Sequence, residues 1–289
     1  MNYVWHLLVL AILYALLGSS LNLLCGYTGL VSLCHAAFYG LGAYCSAILM
    51  TKAGLGFFPA ALVCVVLTGL ASLAVAVPTL RLRGDYFILA TLGFQIIVFS
   101  TLQNWVSLTN GPYGITGIPI PSIMGFSFDS PLLYLLLTVI VCAPCAAATR
   151  MLVQSQFGRA LRCVREDEIA AASLGKDVPR LKICAFVIAA ALAAVCGVMF
   201  AGYSRYIDPT SFSVAESIFI LSVVIIGGAG NLAGPVVGAA FMVLFPEVIG
   251  FIGLPDAVAA NLRQVIYGVA LVWLMRFRPQ GIVGDYGFD

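Results

Sequence analysis

Charged side chains are scarce in this sequence, which has 289 residues and is 62% hydrophobic. Only 9% of the residues are charged, whereas a soluble domain usually carries about 25%. A chain this apolar has too few polar residues to cover the surface of a soluble fold. The net charge of +2 gives no general attraction to nucleic acid, so no nucleic-acid partner is expected. The composition therefore predicts an integral membrane protein.

Motifs for ATP binding, ion coupling and catalysis are also missing from the sequence. No Gly-x-x-x-x-Gly-Lys-Ser/Thr occurs, and Gly175-Lys176 is followed by Asp177, so the chain supplies no ATP site of that kind. No charged residue lies at the centre of a predicted span, which argues against an ion-coupled transporter. Cys142 and Cys145 have CxxC spacing, but in a long apolar stretch cysteine packs as a small hydrophobe. We therefore expect no catalytic residue and no metal site.

What the sequence does contain is a series of long apolar runs, and a membrane-spanning helix needs about 20 such residues. The runs predict an all-α polytopic membrane protein with about nine transmembrane segments, some of them short or broken by glycine. Asp85 is the expected N-cap of the fourth segment. The predicted segments are 4–24, 27–50, 57–80, 86–105, 131–149, 183–204, two short ones within 217–250, and 260–275.

The basic residues are distributed unequally between the two sides of the membrane. The positive-inside rule places the N-terminus outside and the C-terminus in the cytoplasm. A long Gly- and Pro-rich loop, about 106–131, then lies on the periplasmic side. The cytoplasmic side holds Arg81, Arg83, the cluster at 150–182, Arg276 and Arg278, and the opposite side holds Lys52, Arg205 and Arg263.

The cytoplasmic loop at 150–182 holds seven of the fourteen Lys and Arg residues and four of the twelve acids. Residues 157–174 are predicted to form one helix with an apolar stripe of Phe157, Leu161 and Val164. Gly175 is placed to end this helix, and Asp177 and Pro179 suit the start of the next element. The spacing fits either a helix lying on lipid or a helix presented to a soluble partner.

Residues 158–175 resemble the EAA loop of bacterial ABC importer permeases, with Ile169-Ala170-Ala171 where the consensus has Glu-Ala-Ala. Further stretches resemble the LivM-type permeases of the branched-chain amino acid ABC importer family. These are Leu80-Arg81-Leu82-Arg83-Gly84-Asp85-Tyr86-Phe87, Thr91-Leu92-Gly93-Phe94, Ser32-Leu33-Cys34-His35-Ala36-Ala37-Phe38, the segment 107–115 and the Gly-rich turn at 227–235.

The resemblance implies that the chain is one permease domain over 1–289, a transport subunit rather than an enzyme, in the bacterial inner membrane. The implied partners are two nucleotide-binding ATPase subunits that hold ATP and Mg, a second homologous permease, a periplasmic substrate-binding protein and membrane lipid. Small-residue faces at 18–20 and 189–194 are suited to close helix contact with the second permease. Urea, short amides or similar small solutes are alternative cargoes, and an ion-coupled secondary transporter is an alternative class. The implied ATPase-coupling residues are Arg159, Leu161, Arg162, Glu166, Glu168, Ala170, Ala171 and Gly175.

Glycine interrupts the apolar runs strongly at 26–42 and at 227–234. Irregular backbone at membrane depth is tolerated where it is buried in protein or lines a cavity, and paired breaks in a transporter indicate its pathway. The alternative is close helix packing, in which case 91–95 is the next candidate for the route. The candidate pathway residues are Gly26, Gly29, Ser32, Gly227, Gly228, Gly230, Asn231 and Gly234.

Overall fold

The computed structural model describes residues 2–80, 82, 84–123, 126–250, 268 and 280–284, and the described chain is mostly helical. Five of its helices, α1, α3, α4, α6 and α9, are long and apolar enough to cross a membrane. In chain order the helices are α1 (Asn2–Thr28), α2 (His35–Thr51), α3 (Phe57–Thr79), α4 (Asp85–Asn104), α5 (Val106–Thr109), α6 (Pro131–Gln154), α7 (Gln156–Glu166), α8 (Glu168–Ser173), α9 (Val178–Ser204), α10 (Val214–Gly227) and α11 (Gly234–Gly250).

Most of the predicted apolar segments coincide with helices. The runs 57–80, 86–105, 131–149 and 183–204 correspond to α3, α4, α6 and α9. The run 217–250 forms two shorter helices, α10 and α11, on either side of a Gly-rich turn, as predicted. The predicted span 260–275, apart from Gly268, and the arginines at 81, 83, 263, 276 and 278 lie outside the described residues.

Two predicted helix starts are wrong. The second segment begins at His35 rather than at 27, because α1 continues to Thr28 and residues 29–34 are irregular. Gly29 has φ of +72°, which glycine tolerates and which ends the helical path. Asp85 is the first residue of α4 rather than its N-cap, and Gly84, with φ of +56°, takes the N-cap position without a side-chain cap.

The core is centred on α9, which packs against α1, α2 and α3, while α6, α10 and α11 pack against α1. Small residues allow close approach: a Cβ on Gly42 would lie 2.5 Å from the Ala194 carbonyl oxygen, and one on Gly197 would lie 2.1 Å from that of Tyr39. The prediction that 189–194 faces a second permease is therefore wrong. Its alanines, Ala189, Ala190, Ala193 and Ala194, are 0% exposed inside this chain.

Irregular segments gather at two opposite ends of the helices. At the loop end, which comprises 51–56, 105–130 and 205–213, two short strands pair antiparallel, β1 (Ile115–Thr116) with β4 (Tyr206–Ile207). A second pair, β2 (Ser122–Ile123) with β3 (Phe126–Ser127), lies within the same long loop. The charged end comprises 26–34, 150–182 and 228–233. The predicted long loop and the predicted charged loop therefore lie at different ends of the molecule.

Candidate functional site

Within the charged end, two consecutive helices, α7 and α8, occupy the segment for which the sequence predicted a single helix over 157–174. Asp167 separates them, with extended backbone at φ −157° and ψ 111°. Its Oδ1 accepts hydrogen bonds from the backbone N–H groups of Ile169 at 2.8 Å and Ala170 at 3.0 Å. Aspartate competes for backbone donors in this way and is a preferred N-cap, which is why the helix stops and restarts.

The end of α8 agrees with the predicted role of Gly175. This residue has φ of +78°, and its N–H donates to the Ala172 carbonyl at 2.9 Å. The N–H of Lys176 donates to the Ala171 carbonyl at 3.1 Å, which completes a Schellman motif. Asp177 then caps α9 by accepting from the Arg180 N–H at 3.2 Å, also as predicted. Hydrogen bonds therefore hold α8 both at its start, through the Asp167 cap, and at its end, through the Gly175 turn.

The predicted apolar stripe of α7 faces inward. Leu161 is 0% exposed and Val164 is 1% exposed, and Gly158 has no room for a side chain because a Cβ would lie 2.0 Å from the Val153 carbonyl oxygen. Ala171 of α8 is buried against Val164. Leu161 and Ala171, which were assigned to ATPase coupling, therefore hold α7 and α8 on the chain's own helices and are not on the outer surface.

Two large apolar side chains of α8 and its C-terminal end, which were not among the predicted coupling residues, are exposed. Ile169 is 71% exposed and Leu174 is 77% exposed. Their position in the EAA-like stretch, close to Ala170-Ala171, could have identified them as coupling residues. Their exposure, however, depends on the helix break at Asp167, which was not predicted from the sequence. The predicted coupling residues that are also exposed are Arg159, Arg162, Glu166, Ala170 and Gly175.

One ion pair ties α8 to α9. The Lys182 ammonium contacts the Glu168 carboxylate, and the lysine side chain is only 7% exposed, against 41% for the glutamate. A cavity of about 560 Å³ lies beside this pair, between α3, α8 and α9. Glu168, which was predicted to face a partner, therefore also holds the position of α8 relative to the membrane-spanning body.

Two arginines of α7 contact the last turn of α1. Arg165 Nη1 donates to the Gly26 carbonyl oxygen at 2.6 Å, and its Nε and Nη2 contact Glu166 Oε1 at 3.0 and 2.6 Å. The Arg162 guanidinium lies over the Tyr27 ring, 5.3 Å from its centroid, which is within the range of a cation–π interaction. Arg165 was not predicted as a site residue, because its carbonyl partner is 139 positions away.

The two predicted glycine segments meet at this same place. Asn22 Oδ1 accepts from the Gly230 N–H at 2.9 Å, and Asn22 Nδ2 donates to the Asn231 carbonyl at 2.8 Å. Asn231 Nδ2 in turn donates to the Val283 carbonyl at 3.0 Å. One side chain from α1 therefore holds the turn at 228–231 against the end of the helix that carries Gly26.

These glycines are in close contact with backbone. A Cβ on Gly26 would lie 2.1 Å from Asn22 Oδ1 and 2.3 Å from the Gly230 nitrogen. A Cβ on Gly227 would lie 1.9 Å from the Gly234 carbonyl oxygen, and one on Gly228 would lie 2.2 Å from the Gly284 nitrogen. Ser32 is 0% exposed, with its hydroxyl 3.1 Å from Cys34 Sγ. The geometry explains these residues by packing, and their part in a transport route stays a prediction.

A buried polar network surrounds the start of α2, and Gln95 lies at its centre. Gln95 Oε1 accepts from the Ala37 N–H at 2.6 Å and from Ser217 Oγ at 3.1 Å, and its Nε2 donates to the Phe212 carbonyl at 2.8 Å. Thr91 Oγ1 accepts from the Leu33 N–H at 3.2 Å. Thr91 and Gln95 are fully buried, and they accept hydrogen bonds from backbone N–H groups at the start of α2. The alternative transport route predicted at 91–95 is therefore partly occupied by these side chains.

Comparison with known proteins gives one consistent result. A family model described as "Branched-chain amino acid transport system / permease component" matches residues 3–275. The chain is 34% identical to the high-affinity branched-chain amino acid transport system permease protein LivM of Salmonella typhimurium, over 95% of this chain and 68% of the relative. The LivM protein of Escherichia coli K12 is 33% identical over the same shares.

A second type of relative matches this chain over almost the full length of both proteins. The high-affinity branched-chain amino acid transport system permease protein LivH of Escherichia coli K12 is 25% identical, over 94% of this chain and 91% of the relative. No solved structure gives a significant match. The chain is therefore similar to two different permease proteins of one named transport system, with the greater identity to LivM.

Proposed function

The chain belongs to the family of branched-chain amino acid transport system permease components, and we propose that it is a membrane-spanning subunit of an ABC importer for branched-chain amino acids. In this role the whole chain acts as one permease domain, forms part of the route across the inner membrane and hydrolyses no ATP itself. ATP and Mg are held by partner subunits.

The surface formed by α7 and α8 carries this proposal. Ile169 and Leu174 are among the most exposed large apolar side chains in the described chain, and they lie on capped helices beside charged residues. An amphipathic helical surface of this kind suits a groove on a soluble partner, and the partner required here is a nucleotide-binding ATPase. Two such subunits, one per permease, follow from the presence of a second, homologous permease.

The arrangement of the two ends supports one orientation of the chain in the membrane. The charged end holds seven of the fourteen Lys and Arg residues, so by the positive-inside rule it faces the cytoplasm. The loop end then faces the periplasm, together with the start of α1, since His6 Nδ1 lies 2.8 Å from the Tyr203 hydroxyl near Arg205. A periplasmic substrate-binding protein delivers the cargo to the loop end.

The cargo assignment rests on the relatives, which are named as branched-chain amino acid permeases, and leucine, isoleucine and valine are the first candidates. The test is uptake of labelled leucine into liposomes that hold the complex of this chain, the second permease and the ATPase subunits, with binding protein added outside. We expect uptake that requires ATP inside the vesicles and that unlabelled isoleucine and valine inhibit.

A control with this chain alone separates the competing classes. We expect no uptake by the chain alone under a proton or sodium gradient. Gradient-driven uptake without ATP would refute the ABC assignment and favour a secondary transporter. ATP-driven uptake of urea or acetamide with no uptake of leucine would keep the importer class and overturn the cargo.

A further inference from the structure

We propose that Arg165 is a positioning residue that transmits movement of α7 to the end of α1, and through it to both glycine segments. The inference rests on the proposed function, because it concerns how ATPase movement reaches the transmembrane helices. Its basis is the position of one guanidinium between the exposed surface of α7 and a carbonyl oxygen of α1.

The contact with α1 is short and shielded. The Arg165 side chain is 13% exposed, and its Nη1 lies 2.6 Å from the Gly26 carbonyl oxygen. Gly26 lies in the last turn of α1, where carbonyl groups lack an intrahelical donor and carry the negative end of the helix dipole. A cation is therefore favoured there, and a charge-assisted hydrogen bond away from bulk water is stronger than a neutral one.

The other side of the same guanidinium reaches the outer surface. Nε and Nη2 both contact Glu166 Oε1, at 3.0 and 2.6 Å, and the glutamate side chain is 64% exposed. The planar fork of arginine holds both partners at once in a fixed geometry, which a lysine ammonium does not reproduce. Movement of α7 is therefore passed to Gly26 through a rigid group.

The end of α1 is connected to two segments of irregular backbone, 29–34 and 228–231. Directly after it, Gly29 approaches Arg165 so closely that a Cβ there would lie 3.3 Å from Arg165 Cγ, and the chain then runs through 29–34 into α2. One helical turn before Gly26, Asn22 holds the turn at 228–231 through two hydrogen bonds. A displacement of Gly26 thus acts on the start of α2 and on the α10–α11 turn together.

Other basic residues of the charged end make more local contacts. Arg159 Nη1 donates to the Gln154 carbonyl at 3.3 Å, and Arg180 pairs with Asp177 three positions earlier at 2.8 Å. Lys182 links α8 to α9. Arg162 contacts the ring of the buried Tyr27, without the direct backbone bond that Arg165 makes. The direct backbone link to α1 therefore identifies Arg165 as the transmitting residue.

The test compares Arg165→Met, Arg165→Lys and the control Arg150→Met in the full complex in liposomes. Arg150 is an exposed cation at the end of α6 in the same charged end. Leucine uptake and ATP hydrolysis are measured in the same vesicles. We expect Arg165→Met to keep at least half of the ATP hydrolysis while leucine uptake falls at least tenfold, Arg165→Lys to be intermediate, and Arg150→Met to match the wild type.

Three results would overturn the inference. One is an Arg165→Met complex with the wild-type ratio of leucine transported to ATP hydrolysed. Another is a parallel loss of both activities. The third is failure of both Arg165 variants to assemble with the ATPase, since Arg165 would then serve assembly only. Failure of the proposed function shows separately, as a wild-type complex that hydrolyses ATP without moving leucine.

Discussion

Single buried side chains hold the irregular backbone of this protein in place. Gln95 joins α2, α10 and the segment before α10, and Asn22 joins α1 to the turn before α11. Both amide side chains are buried, and a buried backbone group without a hydrogen-bond partner is costly, so each amide takes the place of water. Losing either amide is therefore expected to destabilise the helix break that it holds.

Replacing Gln95 by leucine is expected to destabilise the folded protein. Leucine removes the donor to the Phe212 carbonyl and the acceptor for Ser217, and unpaired buried groups cost about 1–3 kcal/mol each. Thermal unfolding of the purified protein in detergent measures the effect. Gln154→Leu, at an exposed position, is the control. Equal melting temperatures for the two variants would show that the network contributes nothing.

Gly26 and Gly93 form a matched pair for testing close packing. An alanine Cβ at Gly26 would meet Asn22 and the Gly230 backbone within 2.3 Å, whereas nothing lies within 4 Å of one at Gly93. We expect Gly26→Ala to lower stability by about 1–3 kcal/mol, as overpacking does. Gly93→Ala should be neutral or stabilising by up to about 1 kcal/mol. Stability is measured by thermal unfolding, and a neutral Gly26→Ala would contradict the packing seen here.

Among the secondary-structure elements, the break between α7 and α8 decides what the molecule presents to a partner. Without it, the helix predicted over 157–174 would continue in one direction. With Asp167 as a cap, α8 turns Ile169 and Leu174 outward while Ala171 stays buried. The break is therefore a feature of the proposed docking surface.

The cap at Asp167 gives a direct prediction for α8. Asp167→Ala removes the acceptor for the Ile169 and Ala170 N–H groups, and losing such a cap costs about 0.5–2 kcal/mol. We expect amide hydrogen exchange over 168–174 to accelerate severalfold, with the long helices unchanged. Asp167→Asn keeps the acceptor and should exchange like the wild type. Equal exchange in the alanine variant would mean that tertiary contacts alone hold α8.

Sequence patterns predicted the long elements well, and the local departures have physical causes. Apolar runs located α3, α4, α6 and α9 because span length is set by membrane thickness. The start of α2 was missed because hydropathy does not detect a break whose N–H groups are satisfied by Thr91 and Gln95 from a distant helix. Arg165 was missed for the same reason, since its partner carbonyl belongs to α1.

For the whole molecule, the proposed function assigns a distinct role to each of the two separate ends. The loop end is held together by the β1–β4 pair and by Lys52, whose ammonium donates to the Ser107 and Leu108 carbonyls at 2.9 and 3.0 Å. The charged end combines the exposed α7–α8 surface with the contact between Arg165 and α1. An importer needs delivery of cargo on one side and ATP-driven force on the other.

The proposed docking of an ATPase subunit on α7 and α8 is tested most directly by the affinity of that subunit for this chain. Each of Ile169 and Leu174 should contribute about 1.5–3 kcal/mol when buried against the partner. We therefore expect Ile169→Asp combined with Leu174→Asp to weaken ATPase binding more than tenfold in nanodiscs, while Tyr113→Asp, at an exposed site of the loop end, leaves it unchanged. Binding of the ATPase subunit at wild-type affinity to the double variant would contradict the assignment of this surface.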